Sequence, residues 1–320
     1  MSRIGKFLFA ALAVALLVAT RAEAGNTRSF VSGQGSDTNS CTLSAPCRTF
    51  AQAITQTNPG GEITVLNSAG YGSVIIDRSI TITNPGGVEA GITASNNQDA
   101  ITINAGPFDV VNLHGLTLIG GRTGHDGILF NTGGTLNMQN CTITGFSNIG
   151  IAAVPQGSSK FHISDTIVSA SGAGFVFQPS ANTPIKVRVL LKRTQSLGND
   201  TLGYYFDGAS AVGGLYDFTS DADDAIAADN GTDGFRVETT PGFSSIGTSL
   251  MLRKSQSIYN NTGIHVIGGE AYASVSDSSF VGNLFMQIQE SGGNLHSFGN
   301  NTQIFNNNNN NGFPGTDLPL

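Results

Sequence analysis

The chain has 320 residues, enough for one or two domains. Charged residues make up only 12%, about half the usual ~25%, and the 42 glycines are nearly twice the ~7% norm, which excludes coiled coils and helical bundles. A net charge of −7 argues against a nucleic-acid partner held by a broad basic face, and a hydrophobic share of 39% argues against wholesale disorder.

The chain opens with Arg3 and Lys6, then the apolar run Phe7 to Val18, then Ala22-Glu23-Ala24. This order predicts a signal peptide over residues 1–24, cleaved after Ala24 so that Gly25 becomes the first residue. The run falls short of the ~20 residues of a membrane span, and no later segment is apolar enough, so the mature chain is expected to have no membrane span. A secreted or periplasmic protein follows. Loss of Arg3, Lys6, Arg21 and Glu23 with the leader takes the net charge from −7 to −9. In an oxidising compartment Cys41 and Cys47, with five residues between them, are expected to pair, with a modest gain of ~2 kcal/mol from so small a loop. Cys141 stands at an apolar-periodic position and is read as a buried structural thiol.

Beyond the cysteines a repeat runs through most of the chain. Gly127-Ile128-Leu129-Phe130, Gly150-Ile151-Ala152-Ala153, Gly174-Phe175-Val176-Phe177, Gly203-Tyr204-Tyr205-Phe206, Gly234-Phe235-Arg236-Val237 and Gly263-Ile264-His265-Val266 recur at spacings of 23, 24, 29, 31 and 29 residues. Between them fall strings such as Leu136-Asn137-Met138 and Phe161-His162-Ile163, and upstream Ile80-Thr81-Ile82 and Ile101-Thr102-Ile103 show the same alternation less regularly. Alternation with a period of two is that of a sheet buried on one face, and glycine and asparagine mark the corners. One such turn cannot bury its apolar side, whereas stacked turns share a core. The pattern predicts eight or nine coils of two or three strands, about 4.8 Å apart.

This pattern resembles the right-handed parallel β-helix of the pectate-lyase-like superfamily, from about Glu62 to Phe305. At the front, Phe30-Val31-Ser32, Gly35-Ser36-Asp37, Asn39, Pro46 and Thr49-Phe50-Ala51-Gln52-Ala53-Ile54 look like the N-terminal cap of secreted β-helix proteins, several of them active on polysaccharides. The resemblance implies a short capping helix over Arg48 to Thr57, with Phe50, Ala53 and Ile54 on one face. The expected organisation is a leader over 1–24, a cap segment over 25–61, an all-β parallel helix over 62–305 and an Asn-rich tail over 306–320. An asparagine ladder between coils is considered for Asn283 and Asn300.

In the polysaccharide-active relatives, as the resemblance implies, substrate lies across one parallel sheet, here the one carrying the glycine-led strings. If Phe235 and Val237 point inward, the outward column reads Thr102, Leu129, Ala152, Val176, Tyr205, Arg236, His265 and Gln287. Tyr205, Asp207, Arg236, Glu238 and His265 form the candidate ligand groove: a stacking ring, a carboxylate-matching fork and groups able to move protons. Asp221-Ala222-Asp223-Asp224 resembles the paired-aspartate strand of polygalacturonases, and Gly231-Thr232-Asp233-Gly234 and Gly124-His125-Asp126-Gly127 resemble two others of that family's motifs. The His-bearing string, however, precedes the aspartates, and no Arg-Ile-Lys string follows, so catalytic residues are not assigned. By the repeat count the acidic stretch falls in a corner before Ile226. Asp221, Asp223 and Asp224 are the candidates for Ca²⁺, without EF-hand spacing, and no other cofactor is expected. Lys186, Arg188, Lys192 and Arg193 form a basic cluster able to grip an anionic glycan. Asn-x-Thr strings at Asn199, Asn230, Asn260 and Asn300 are what chance gives in so Asn-rich a chain. The sequence reading is of an exported binding or surface protein contacting polysaccharide. Its alternatives are a polysaccharide lyase or glycoside hydrolase, and a structural or adhesive rod.

Overall fold

The computed structural model describes residues 25–181, 183–208, 215–239 and 247–307, with the side chains of 215–217 set aside. The leader over 1–24 and the tail from 308 onward lie outside the described residues. Within them the chain winds as a parallel β-helix of three strands per turn, forming sheets of eleven, nine and ten strands. In one turn Thr135–Gln139 joins the eleven-stranded sheet, Thr142–Thr144 the ten-stranded and Ile149–Ala153 the nine-stranded. There are more turns than the glycine-led strings count. The upstream strands Val74–Ile76 and Ile101–Asn104 belong to the same sheet but are preceded by Ser73 and Ala100 instead of glycine.

The inward residues stack in columns. Val74, Ile101, Ile128, Ile151, Phe175, Tyr204, Phe235 and Ile264 follow one another in register down the nine-stranded sheet. Three of them stack as rings: Phe175 lies 4.8 Å from Tyr204 and Tyr204 4.9 Å from Phe235, at interplanar angles of 11° and 7°. The residue before each of these is a glycine because coils approach closely at that corner. A Cβ on Gly203 would fall 2.5 Å from the Gly234 carbonyl oxygen, and one on Gly234 2.5 Å from Ser257 Oγ. The ten-stranded sheet is entered and left through single residues in left-handed conformation, for example Asp224 (φ 58°) before Ile226–Ala228 and Asp229 (φ 56°) after it.

Behind the second corner runs a buried column of amides: Asn199, Asn230, Asn260, Asn283 and Asn306, each at most 6% exposed. Each Nδ2 donates to the next Oδ1, at 2.9, 2.9, 3.2 and 3.2 Å. The same oxygens accept the backbone N–H of the rung before, as in Asn230 N to Asn260 Oδ1 at 3.0 Å. Three of the Asn-x-Thr strings, at Asn199, Asn230 and Asn260, are therefore rungs of this ladder. Asn306, at the expected start of the tail, is its last described rung. Asn283 belongs to it as considered; Asn300 does not, donating to the exposed Asp277 Oδ1 at 2.7 Å.

At the N-terminal end helix α1, Phe50–Gln56, begins two residues later than the resemblance implies. Thr49 is its N-cap, accepting from Gln52 N at 3.1 Å, and Asp37 in turn holds Thr49 N and Oγ1, each at 3.0 Å. Phe50, Ala53 and Ile54 are buried against the first coils. Cys41 and Cys47 are joined in a disulfide. Cys141 is free and buried, and burial pushes its thiol up to about 11, so it remains protonated at neutral pH.

Asn230→Ala is expected to destabilise the fold by about 2–3 kcal/mol, since it orphans the buried Asn199 N–H. Asn300→Ala, on the exposed edge, should change stability by no more than about 0.5 kcal/mol. Chemical denaturation of both variants checks the contrast.

Candidate functional site

The outward column of the nine-stranded sheet runs Thr102, Leu129, Ala152, Val176, Tyr205, Arg236, His265 in register. Gln287 is not its next member. It pairs with Ile264, on the inward side, and is 7% exposed, while Ile288 pairs with His265. The position that is glycine in the preceding strings is Met286 here, so nothing in the sequence marks which residue faces inward.

Three of the expected groove residues meet directly. The Tyr205 hydroxyl donates to Glu238 Oε2 at 2.7 Å, and Arg236 donates to the same oxygen from Nε at 3.0 Å and Nη2 at 2.8 Å. The guanidinium lies 5.3 Å from the Tyr205 ring centre, within cation–π range. Its third nitrogen is 3.6 Å from Asp233 Oδ2, which also lies 3.2 Å from His265 Nδ1. His265 is thus joined to the group through Asp233, a residue singled out in the sequence only within the Gly231–Gly234 string. Its Nε2 faces Glu290 at 3.7 Å. Asp207 does not face solvent as the strand alternation predicts: it is 3% exposed and accepts from Gln178 Nε2 at 2.7 Å.

Burial, then the Asp207 charge, then the bond to Glu238 push the Tyr205 hydroxyl well above its ordinary range. For Arg236 burial opposes the charge, but Glu238 outweighs it and the pKa is raised. The polar atoms here are largely committed to one another, so the cluster presents a fixed platform of ring and guanidinium.

The acidic stretch is not a corner before Ile226: Asp221 and Asp223 end the strand Leu215–Asp223, and Asp224 alone occupies the turn. Asp221 is held by Arg253 Nη2 at 3.0 and 2.9 Å, so the pairing satisfies the carboxylate offered for Ca²⁺. Among the described residues the ligand atoms that do converge, all within 4.8 Å of one another, belong to Asp99, His125 and Asp126. His125 and Asp126 come from one of the motif-like strings; Asp99 comes from the coil before.

Two grooves open on a different face, the outside of the eleven-stranded sheet. One of about 470 Å³ is lined by Phe108, Lys160, Lys186 and Arg188, and the next, of about 490 Å³, by Arg188, His162, Asp221 and Tyr272. Arg188 belongs to both, so they form one track along several coils. Lys160 and Arg188 are direct register partners. Lys160 and Lys186 form no ion pair among the described residues, and Phe108 is 93% exposed. The basic cluster read from the sequence is split: Lys186 and Arg188 lie on the track, whereas Arg193 sits in a left-handed corner (φ 50°) bound to Asp165 at 2.6 and 2.8 Å. An outer ladder fixes His162. Asn112 Nδ2 donates to Thr81, Asn137 Nδ2 to Asn112 Oδ1 at 2.8 Å, and Asn137 Oδ1 then accepts from His162 Nδ1 at 2.9 Å. A neutral His162 therefore carries its lone pair on Nε2.

No protein-family model matches the chain, and no curated protein matches it. Among solved structures it is similar to a rhamnogalacturonan lyase (12% identity, TM-score 0.49, covering 80% of this chain and 74% of the lyase). It is also similar to pectate lyase Pel9A (12% identity, TM-score 0.41, covering 80% and 77%). The register of its own sheets makes the chain a parallel β-helix, the fold that the resemblance in its sequence implies.

A double-mutant cycle of Arg236→Ala and Glu238→Ala, followed by chemical denaturation, should give a coupling of about 1–3 kcal/mol, as for groups in one partly buried network. A coupling near zero would show that the two side chains act independently.

Proposed function

We propose that this protein is exported, with residues 1–24 removed, 25–61 forming the cap segment and 62 onward the coils, and that it binds anionic polysaccharide along the eleven-stranded sheet. The observation that carries the reading is the grouping of Lys160, Lys186 and Arg188 around the 93%-exposed Phe108 in one groove of a chain with net charge −7. Lys160 and Lys186, which form no ion pair among the described residues, have charge to offer a ligand, and carboxylate or sulfate groups on a glycan meet lysine and the arginine fork well. The solvent-facing Phe108 ring is open to contact, and a sugar ring has an apolar face to lay on it. Coils spaced about 4.8 Å apart present equivalent outward positions repeatedly, which suits a polymer. The disulfide supports an oxidising compartment. Among the described residues no helix is long and apolar enough to cross a membrane.

A second reading, a polysaccharide lyase or glycoside hydrolase acting on the nine-stranded face, is favoured by His265. A carboxylate orienting Nδ1, as Asp233 does at 3.2 Å, is how a histidine general base is held. In that reading Tyr205, Arg236 and Glu238 border the substrate, while Asp207 stays buried against Gln178.

Immobilised polygalacturonate should retain the native chain at low salt and release it as salt screens the charges, while a neutral glucan should not retain it. Lys160→Ala combined with Lys186→Ala, or Phe108→Ala, should weaken retention by about tenfold or more, one to two contacts' worth. Equal retention of native and variant chains would exclude the track. Release of unsaturated product, lost in His265→Ala, would instead establish the second reading, and no retention on any glycan would leave the structural rod.

A further inference from the structure

We propose that Asp99, His125 and Asp126 bind a divalent transition-metal ion at the rim of the cavity on the nine-stranded face. The three side chains come from the approaches to two neighbouring strands, Ile101–Asn104 and Ile128–Thr132, whose register sets Ile101 beside Ile128. His125 Nδ1 lies 3.2 Å from Asp99 Oδ1 and 3.2 Å from Asp126 Oδ2, so one nitrogen and two oxygens from separate carboxylates face a common point. Ligand atoms that all lie within 4.8 Å of one another need to close by only about half an ångström for one ion to bond all three at about 2.0–2.2 Å.

Hydrogen bonds from neighbouring groups aim the carboxylates. Asp126 is 2% exposed, and its Oδ1 accepts from Asn148 Nδ2 and Ile149 N, both at 2.9 Å, from the next coil. That leaves Oδ2 turned toward His125. Asp99 is steadied by the Asp126 N–H on Oδ1 at 3.1 Å and the Thr102 hydroxyl on Oδ2 at 3.3 Å. For Asp126 these outer hydrogen bonds hold one oxygen and present the other, as a ligating carboxylate needs. Two carboxylates on adjacent coils, one of them enclosed, also concentrate negative charge where a cation offsets it.

The donor set selects the ion. Ca²⁺ and Mg²⁺ take all-oxygen shells of six or more ligands, whereas one imidazole with two carboxylates suits Zn²⁺, Mn²⁺ or Co²⁺. Three protein ligands leave positions open, and the site has somewhere for them to face. Asp99 and Thr102 line a cavity of about 650 Å³, together with Asn97 and Gln98. Water or an oxygen-bearing ligand entering there would complete the shell. This site lies on another sheet from the glycan track and stands or falls independently of it.

Calorimetric titration of the chelator-treated full chain with ZnCl₂ should show one site, and CoCl₂ should give visible d–d absorption. His125→Ala and the more exposed Asp99→Asn should each weaken Zn²⁺ binding by about 10–100-fold, with Asp126→Asn as an isosteric third variant. Asp221→Asn, on the opposite sheet, should leave it unchanged. Circular dichroism and melting of each variant establish that it is folded. CaCl₂ should bind far more weakly than ZnCl₂. Zn²⁺ affinity unaltered in folded His125→Ala and Asp99→Asn, or Ca²⁺ bound as tightly as Zn²⁺, overturns the proposal.

Discussion

A strand of two to nine residues in this protein finds its ladder partners in the coils before and after it. That single constraint, vertical pairing, organises everything else. It demands that consecutive turns present the same kind of residue at the same place, because a mismatch falls directly on a neighbour about 4.8 Å away. The ring stack Phe175–Tyr204–Phe235, the glycine corner and the amide ladder are three answers to one requirement. Apolar positions stack on apolar, the tightest corner excludes a Cβ, and a buried polar position is made self-sufficient by repeating it.

The same constraint builds the outer surfaces. Side chains far apart in sequence become neighbours once their strands pair, so Lys160 meets Arg188 and Asp126 meets Asp99. The two faces use this differently. On the nine-stranded sheet, Tyr205, Arg236, Glu238 and Asp233 close on one another and consume their own polar capacity. On the eleven-stranded sheet, Lys160 and Lys186 form no ion pair among the described residues and lie beside the exposed Phe108 ring.

The coils were legible in the sequence wherever glycine preceded an alternating string, since glycine fixes the phase of a pattern whose period is only two. Where Met286 replaced it the phase slipped, and Gln287 and Ile288 exchanged faces. Tyr205, Arg236 and Glu238 could be placed together because they occupy adjacent glycine-led strings. Asp207, at the end of its string, could not, because its burial depends on Gln178 from the previous coil. The groove around Phe108 was legible only in part: Lys186 and Arg188 share one strand, whereas Phe108 and Lys160 come from two other turns, joined to it only by the register of strands less regularly punctuated. The Asn-x-Thr strings did carry a signal. Their recurrence near the glycine spacing marks a buried rung, which chance does not produce in phase with a repeat.

The amide ladder also has a direction. From Asn199 to Asn283 each side chain gives one amide proton to the next rung toward the C-terminal end, so four links align head to tail along the axis, while the second proton of Asn230, Asn260 and Asn283 goes to a carbonyl of the coil before. Such a row behaves as a small electret threaded through the wall of the rod: each link polarises the next, and the whole favours being continued at one end over the other.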